Sequence, residues 1–347
     1  MSVFENMPDV GKKGKKPGAP SQPKRTPLLL GVLAGCLVLL LCLALAGAGG
    51  WYFTLGPGAS PAQKVGIAVT PGSTPGSASS AATANLKIAF SVYTGDSPEG
   101  HSIWLMNGDG SNAKQIIPIA SSPAFSPDGT LIAYYHWTDG IYVANADGTN
   151  PHKILGESNA KYLAWSHDGK WIAFSSKPNP NQKGNVNIDA VSVDGSQRRT
   201  IVNGGSMPSW SPNDQRIAFS DCRGSDCGIL VAGSLGGDGG TMIAKELGTN
   251  PAWSPDSSKI VYQADVDSIK QLFIVNADGS GKKQLTSGTA PHVGAAWSPD
   301  GSTIFYRSPE DGNWGIWKMN ADGSGKVKLI SNVQPVDWAS ERLAVTQ

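Results

Sequence analysis

The side chains best suited to acid–base or metal chemistry in this 347-residue chain are five histidines, His101, His136, His152, His167 and His292, and a recurring series of aspartates. A catalytic metal needs about three protein ligands brought together at one point. His152 and His167 fall near outer-strand or turn positions, so only His136 and His292 are expected in loops on one common face. Asp128, Asp168, Asp256 and Asp300 recur at one place in a repeated turn, where hydrogen bonding to the local backbone accounts for them without any chemistry. The Asn-x-Asp-Gly loops resemble the start of a calcium loop, but the later ligands and the Glu at loop position twelve do not follow. No G-x-S-x-G nucleophile elbow is present. The expectation is a protein that binds rather than catalyses, with no cofactor. The alternative is a metal-dependent lyase or hydrolase.

The four cysteines form two pairs. Cys36 and Cys42 lie in an apolar run and act as small hydrophobes. Cys222 and Cys227 bracket the stretch RGSD in an expected hairpin loop, where an oxidising compartment would favour a disulfide and a reducing one two free thiols. No second Cys or His pair follows at zinc-ligand spacing.

Residues 28–50, LLLGVLAGCLVLLLCLALAGAGG, contain no charge, and a helix of that length spans a hydrocarbon core of about 30 Å. Lys24 and Arg25 precede it, and Trp51 and Tyr52 follow at the place of an interfacial aromatic belt. Six Lys/Arg in residues 1–26 stand against Glu5 and Asp9, so the positive-inside bias puts the N-terminus in the cytoplasm and the remainder outside. A cleaved signal peptide would have a shorter apolar stretch. A lipobox reading of Leu33–Cys36 leaves five apolar residues before it and a further apolar run after it. Residues 51–84 are dominated beyond Leu55 by Gly, Ser, Ala, Thr and Pro, with Lys64 the one charge, and read as a flexible tether. From residue 85 onward there are 21 basic and 25 acidic side chains, which argues against a nucleic-acid partner.

The elements that must position any site come from a repeat. Phe125, Trp165, Trp210, Trp253 and Trp297 lead FSPDG, WSHDG, WSPND, WSPDS and WSPDG, and Trp338 leads a degenerate sixth copy, WASE. The spacing of 40 to 45 residues is that of stacked β units. Each turn is followed by a run such as LIAYY or KIVYQ, then an alternating strand ending in Asp-Gly, then a short closing strand. Four such strands cannot bury both faces of their sheet alone and must stack on neighbours. The motifs xWSPDGxxIAFxS and IYxxNADGSxxxxLT resemble the TolB-like propeller repeat over residues 85–347. The resemblance implies an all-β, six-bladed β-propeller with N-/C-terminal blade closure; the apolar run and the tether read above put one transmembrane helix and a flexible linker before it. The segment around Trp338 is expected to complete the blade begun at Leu86, although RLAVT near the C-terminus and KIAFS near the N-terminus compete for one strand position.

The organisation expected is therefore a basic cytoplasmic tail over 1–27, a membrane helix over 28–50, a linker over 51–84 and a propeller over 85–347. The resemblance implies an extracytoplasmic binding module for a protein, peptide or envelope glycan, or the sensor part of an envelope signalling system; its lyase relatives imply the metal-dependent alternative. The partner domain of TolB has no counterpart in the motifs, so its particular partnership is not carried over. Binding on a propeller uses the loops that enter the inner strand and those joining the second and third strands. The residues there that break the repeat are His136, Trp137, Tyr162, Asp265, Asp267, His292, Trp314 and Asp337.

Overall fold

The computed structural model describes residues 85–95, 100–137, 139–177, 186–237, 239–334 and 341–346. The tail, membrane helix and linker expected over residues 1–84 lie outside them, as do Asp337 and Trp338. The described residues form six four-stranded antiparallel sheets. Blade 1 holds β1 (Lys87–Tyr93), β2 (His101–Asn107) and β3 (Lys114–Pro118); blade 2 holds β4 (Ala120–Phe125), β5 (Leu131–His136), β6 (Gly140–Asn145) and β7 (His152–Leu155). Blade 3 holds β8 (Lys161–Trp165), β9 (Trp171–Ser176), β10 (Asn187–Ser192) and β11 (Arg198–Val202). Blade 4 holds β12 (Ser206–Trp210), β13 (Arg216–Arg223), β14 (Asp226–Gly233) and β15 (Thr241–Ala244). Blade 5 holds β16 (Thr249–Trp253), β17 (Lys259–Val266), β18 (Ile269–Asn276) and β19 (Lys283–Gln284), and blade 6 holds β20 (Val293–Trp297), β21 (Thr303–Ser308), β22 (Gly315–Asn320) and β23 (Val327–Ser331).

The second strand of each blade reads as a continuous apolar run because both its faces are covered by neighbouring blades. Each apolar cluster lies between two adjacent blades. Phe125 packs with blade 1, Trp165 with blade 2, Trp210 with blade 3, Trp253 with blade 4 and Trp297 with blade 5. Two of these rings are also tied by hydrogen bonds, Trp210 Nε1 to the Ala164 carbonyl and Trp297 Nε1 to the Ala252 carbonyl, both at 3.1 Å. The leading serine of each turn is the other constant: Ser126, Ser166, Ser211, Ser254 and Ser298 each accept the N–H five residues on at 2.9 to 3.0 Å.

Closure resolves the competition between RLAVT and KIAFS. The final strand β24 (Ala344–Val345) is the innermost strand of blade 1 and pairs with β1 through Ala89–Ala344 and Ile88–Val345. KIAFS is therefore the second strand. Val345 takes the place that an aromatic residue holds in the other five blades and packs in the cluster between blades 6 and 1.

Candidate functional site

A left-handed residue interrupts the inner strand of blades 2 to 6, at Ser122, Tyr162, Met207, Asn250 and Gly294, with φ of 55°, 58°, 57°, 58° and 67°. The register shifts there, as a β-bulge requires. Aligning Val345 with the aromatic position puts Arg342 at the same place in blade 1. Its guanidinium donates to the carbonyls of Pro251 at 2.8 Å and Pro208 at 2.6 Å, in blades 5 and 4, so the side chain crosses the ring axis. Burial lowers its pKa to about 10. Ser122, Tyr162, Asn250 and Arg342 line a residual void of about 10 Å³, space for about one water. Gly294 is required here: a Cβ would lie 2.3 Å from the Glu341 carbonyl oxygen. The bulge amides are held by side chains from the preceding blade. Ser175 receives Met207 N–H, Ser220 receives Asn250 N–H and Gln263 receives Gly294 N–H, at 2.9, 3.2 and 3.0 Å. At the seam, the corresponding residue Arg307 instead donates to the Ser91 carbonyl at 3.1 Å.

The axis thus divides the molecule into two different faces. On the turn face, a central cavity of about 180 Å³ is lined by the five aromatic residues and by Pro212, Pro255 and Pro299. Grooves of about 690 Å³ and 570 Å³ lie between blades 5 and 6 and beside blade 3. Their carboxylates are committed to their own turns; Asp256, bonded to Ser254 and Ser258, is held at about 2. The same explanation covers Asp128, Asp168 and Asp300.

The loop face carries residues that break the repeat. His101, buried at the start of β2, packs between Tyr93 and Trp137 with tilted rings at centroid distances of 4.8 and 4.1 Å, and Lys161 of blade 3 places its ammonium 4.3 Å above the Trp137 ring. Three consecutive blades thus build one aromatic and cationic cluster. The expectation that His136 and His292 alone occupy this face needs correction, because His101 lies there too. Blade 1 lacks the leading aromatic turn motif, so its strand boundaries were hidden in the sequence.

The remaining expected site residues are spread around the ring. His136 faces Tyr142 at 5.6 Å, Tyr162 lines the axis, and Asp265 pairs with Lys270 at 2.8 Å. Asp267 is exposed at a hairpin tip, and the Trp314 carbonyl receives Val333 N–H. His292 is wholly buried rather than presented to solvent, with Glu310 at 3.5 Å. Burial, reinforced by Lys326 and opposed by Glu310, lowers its pKa. Cys222 and Cys227 pair across the β13–β14 hairpin and are joined by a disulfide. Among the described residues no group of three or more His, Cys, Asp and Glu side chains is arranged to hold a metal ion.

Comparison with known proteins agrees with this geometry. The PD40 family, the TolB beta propeller domain, matches residues 177–340. The chain is 27% identical over 211 residues to the Protein TolB homolog of Protochlamydia amoebophila, covering 54% of this chain and 45% of that protein. It is 27% identical over 193 residues to the Uncharacterized peptidase YuxL of Bacillus subtilis, covering 50% of this chain and 27% of that protein. The chain therefore spans less than half the length of these curated relatives. The crystal structure of TolB from Acinetobacter baumannii superposes with a TM-score of 0.63 at 19% identity, over 75% of this chain and 66% of that one. Repeat, ring and matches together make the described residues a TolB-like six-bladed β-propeller.

Proposed function

We propose that the protein is a membrane-anchored, extracytoplasmic scaffold whose loop face binds a protein or peptide partner. The observation that carries this reading is the cluster of Tyr93, His101, Trp137 and Lys161, gathered from three blades on the face where the repeat is broken. Aromatic rings such as Tyr93 and Trp137 combine large contact area with a polar handle and are enriched at protein interfaces. The turn-face grooves are the weaker candidates, since their polar residues already satisfy one another.

Anchoring is supported by the uncharged stretch 28–50 and the basic residues before it. The Cys222–Cys227 disulfide supports an oxidising compartment for the propeller. The match to a peptidase spans 27% of that protein, so its activity is not carried over.

Affinity capture of the full chain after reversible cross-linking of intact cells tests the binding role. A discrete partner recovered with the wild type and lost from Lys161→Glu is expected. No partner, or equal recovery from both, sinks the reading. Protease added to intact cells should cut within residues 51–84; protection of that segment contradicts the orientation.

A further inference from the structure

The second and third strands, joined in each blade by a hairpin, are longest in blades 4 and 5, where β13, β14, β17 and β18 each run to 8 residues against 7 in blade 1 and 6 in blades 2, 3 and 6. The first hairpin is stapled by Cys222–Cys227. The second turns through Asp267 and Ser268, whose φ values of 50° and 68° are those of a type I′ turn built without glycine.

Between the hairpins, in the connection from blade 4 to blade 5, Leu247 is 56% exposed and has φ of 44°. Its N–H donates to the Cys227 carbonyl at 3.1 Å, which fixes it against the stapled hairpin. Thr249 pairs with Gln263, so Leu247 also lies beside the base of the second hairpin. A branched apolar residue in the left-handed region costs backbone energy, and an exposed one recovers little of it by burial. Neither the local backbone nor the core explains a leucine here.

The charges on this ridge are matched with one exception. Arg223 pairs with Asp221, Lys245 with Asp226 and Lys270 with Asp265, at 3.2, 3.1 and 2.8 Å. Exposed Asp267 forms no ion pair among the described residues.

We infer that this ridge is the docking surface for a polypeptide that presents a bulky apolar side chain beside a lysine or arginine. Leu247 is the apolar anchor, and Asp267 pairs with the incoming cation. The disulfide holds the first hairpin in place, so little ordering is needed on binding. The inference rests on the loop-face binding reading and names its partner class.

Random peptides of about twelve residues displayed on phage, selected on the detergent-solubilised full chain, test it. Enriched peptides are re-measured against Leu247→Asn, Asp267→Lys and Trp137→Ala, each first shown by thermal melting to be folded. Lys161→Glu replaces the last variant if it melts early. Asn tolerates the left-handed backbone, so Leu247→Asn removes the anchor without adding strain. The expected peptides carry a bulky apolar residue beside Lys or Arg, and bind Leu247→Asn and Asp267→Lys about tenfold or more weakly. Asp267→Lys should instead select acidic neighbours. No enrichment, or peptides that bind both ridge variants as they bind wild type, overturns the inference. If such peptides are nevertheless lost from Trp137→Ala, or from its replacement Lys161→Glu, the loop-face reading stands while the ridge falls. If they bind that variant equally too, both fall.

Discussion

Thr346 Oγ1 accepts the backbone N–H of Lys87 at 2.9 Å, and Thr346 N–H donates to the Lys87 carbonyl, also at 2.9 Å. This is the pair of bonds that Ser126 makes with Leu131, and Ser298 with Thr303, inside continuous turns. Thr346 therefore reproduces the turn serine for a strand that lies 259 residues away in the sequence.

Thr346→Ala is expected to cost about 1 kcal/mol by removing one side-chain acceptor from a part-buried amide. In a domain of this size that lowers Tm by about 2 to 4 °C. Thr346→Ser should melt like wild type. Equal melting of the Ala and Ser variants would show that the closing bond carries no weight.

The inter-blade tryptophans should not be equivalent. Trp210 and Trp297 have bonded indole N–H groups, whereas the buried Nε1 atoms of Trp165 and Trp253 have no hydrogen-bond partner among the described residues. Substitution by Phe is expected to cost about 1 kcal/mol more at 210 and 297 than at 165. Denaturant unfolding of the three variants measures the difference, and a larger loss at Trp165 would contradict it.

Two departures from the repeat compensate each other. Blade 3 has His167 where other turns have Pro, exposing an extra N–H, and blade 4 has Asp214 where a left-handed glycine is usual, at φ 56°. The Asp214 carboxylate accepts the N–H groups of His167 and Asp168 at 2.7 and 2.6 Å. Asp214→Gly should lower stability by about 1 kcal/mol even though glycine suits the backbone, and the loss should shrink by at least about 0.5 kcal/mol in a His167→Pro background. Strict additivity in that double-mutant cycle would refute the coupling.

Acid should weaken the fold through His292. Burial, the largest cause, lowers its pKa from 6.5, and His167 is shifted in the same direction for the same reason. As pH falls through about 6.5, the unfolded chain binds protons that the folded chain does not, so stability decreases on acidification. The urea midpoint should drop between pH 7 and 5, and His292→Gln should flatten that limb. An unchanged pH dependence in the variant would rule out this origin.

How much of this was legible in the sequence follows from what repeats. The Phe125 to Trp297 series and its serine turns made the blades and their packing legible, because blades 2 to 6 solve the same burial problem with the same residues. Ring closure was half legible: RLAVT was a recognisable strand, but Thr346 and Lys87, which play the parts of one turn, lie 259 residues apart in the sequence. Arg342 was hidden because its axial position holds Ser122, Tyr162, Met207, Asn250 and Gly294 elsewhere, five residues with no shared chemistry. Its signal was register alone, three residues before the aromatic position. His101 and Tyr93 were missed because blade 1 lacks its leading motif, and Leu247 because exposure and a left-handed backbone leave no pattern in composition.

The central claim is that partners meet the loop face. A benzophenone side chain placed singly at Trp137, Ser225 or Asp267, and for comparison at the turn-face positions Asp147, Ser196 or Asp278, lets intact cells report which face is in contact. Discrete adducts from the first three positions and none from the last three are the predicted result. Adducts confined to the turn-face positions would contradict it.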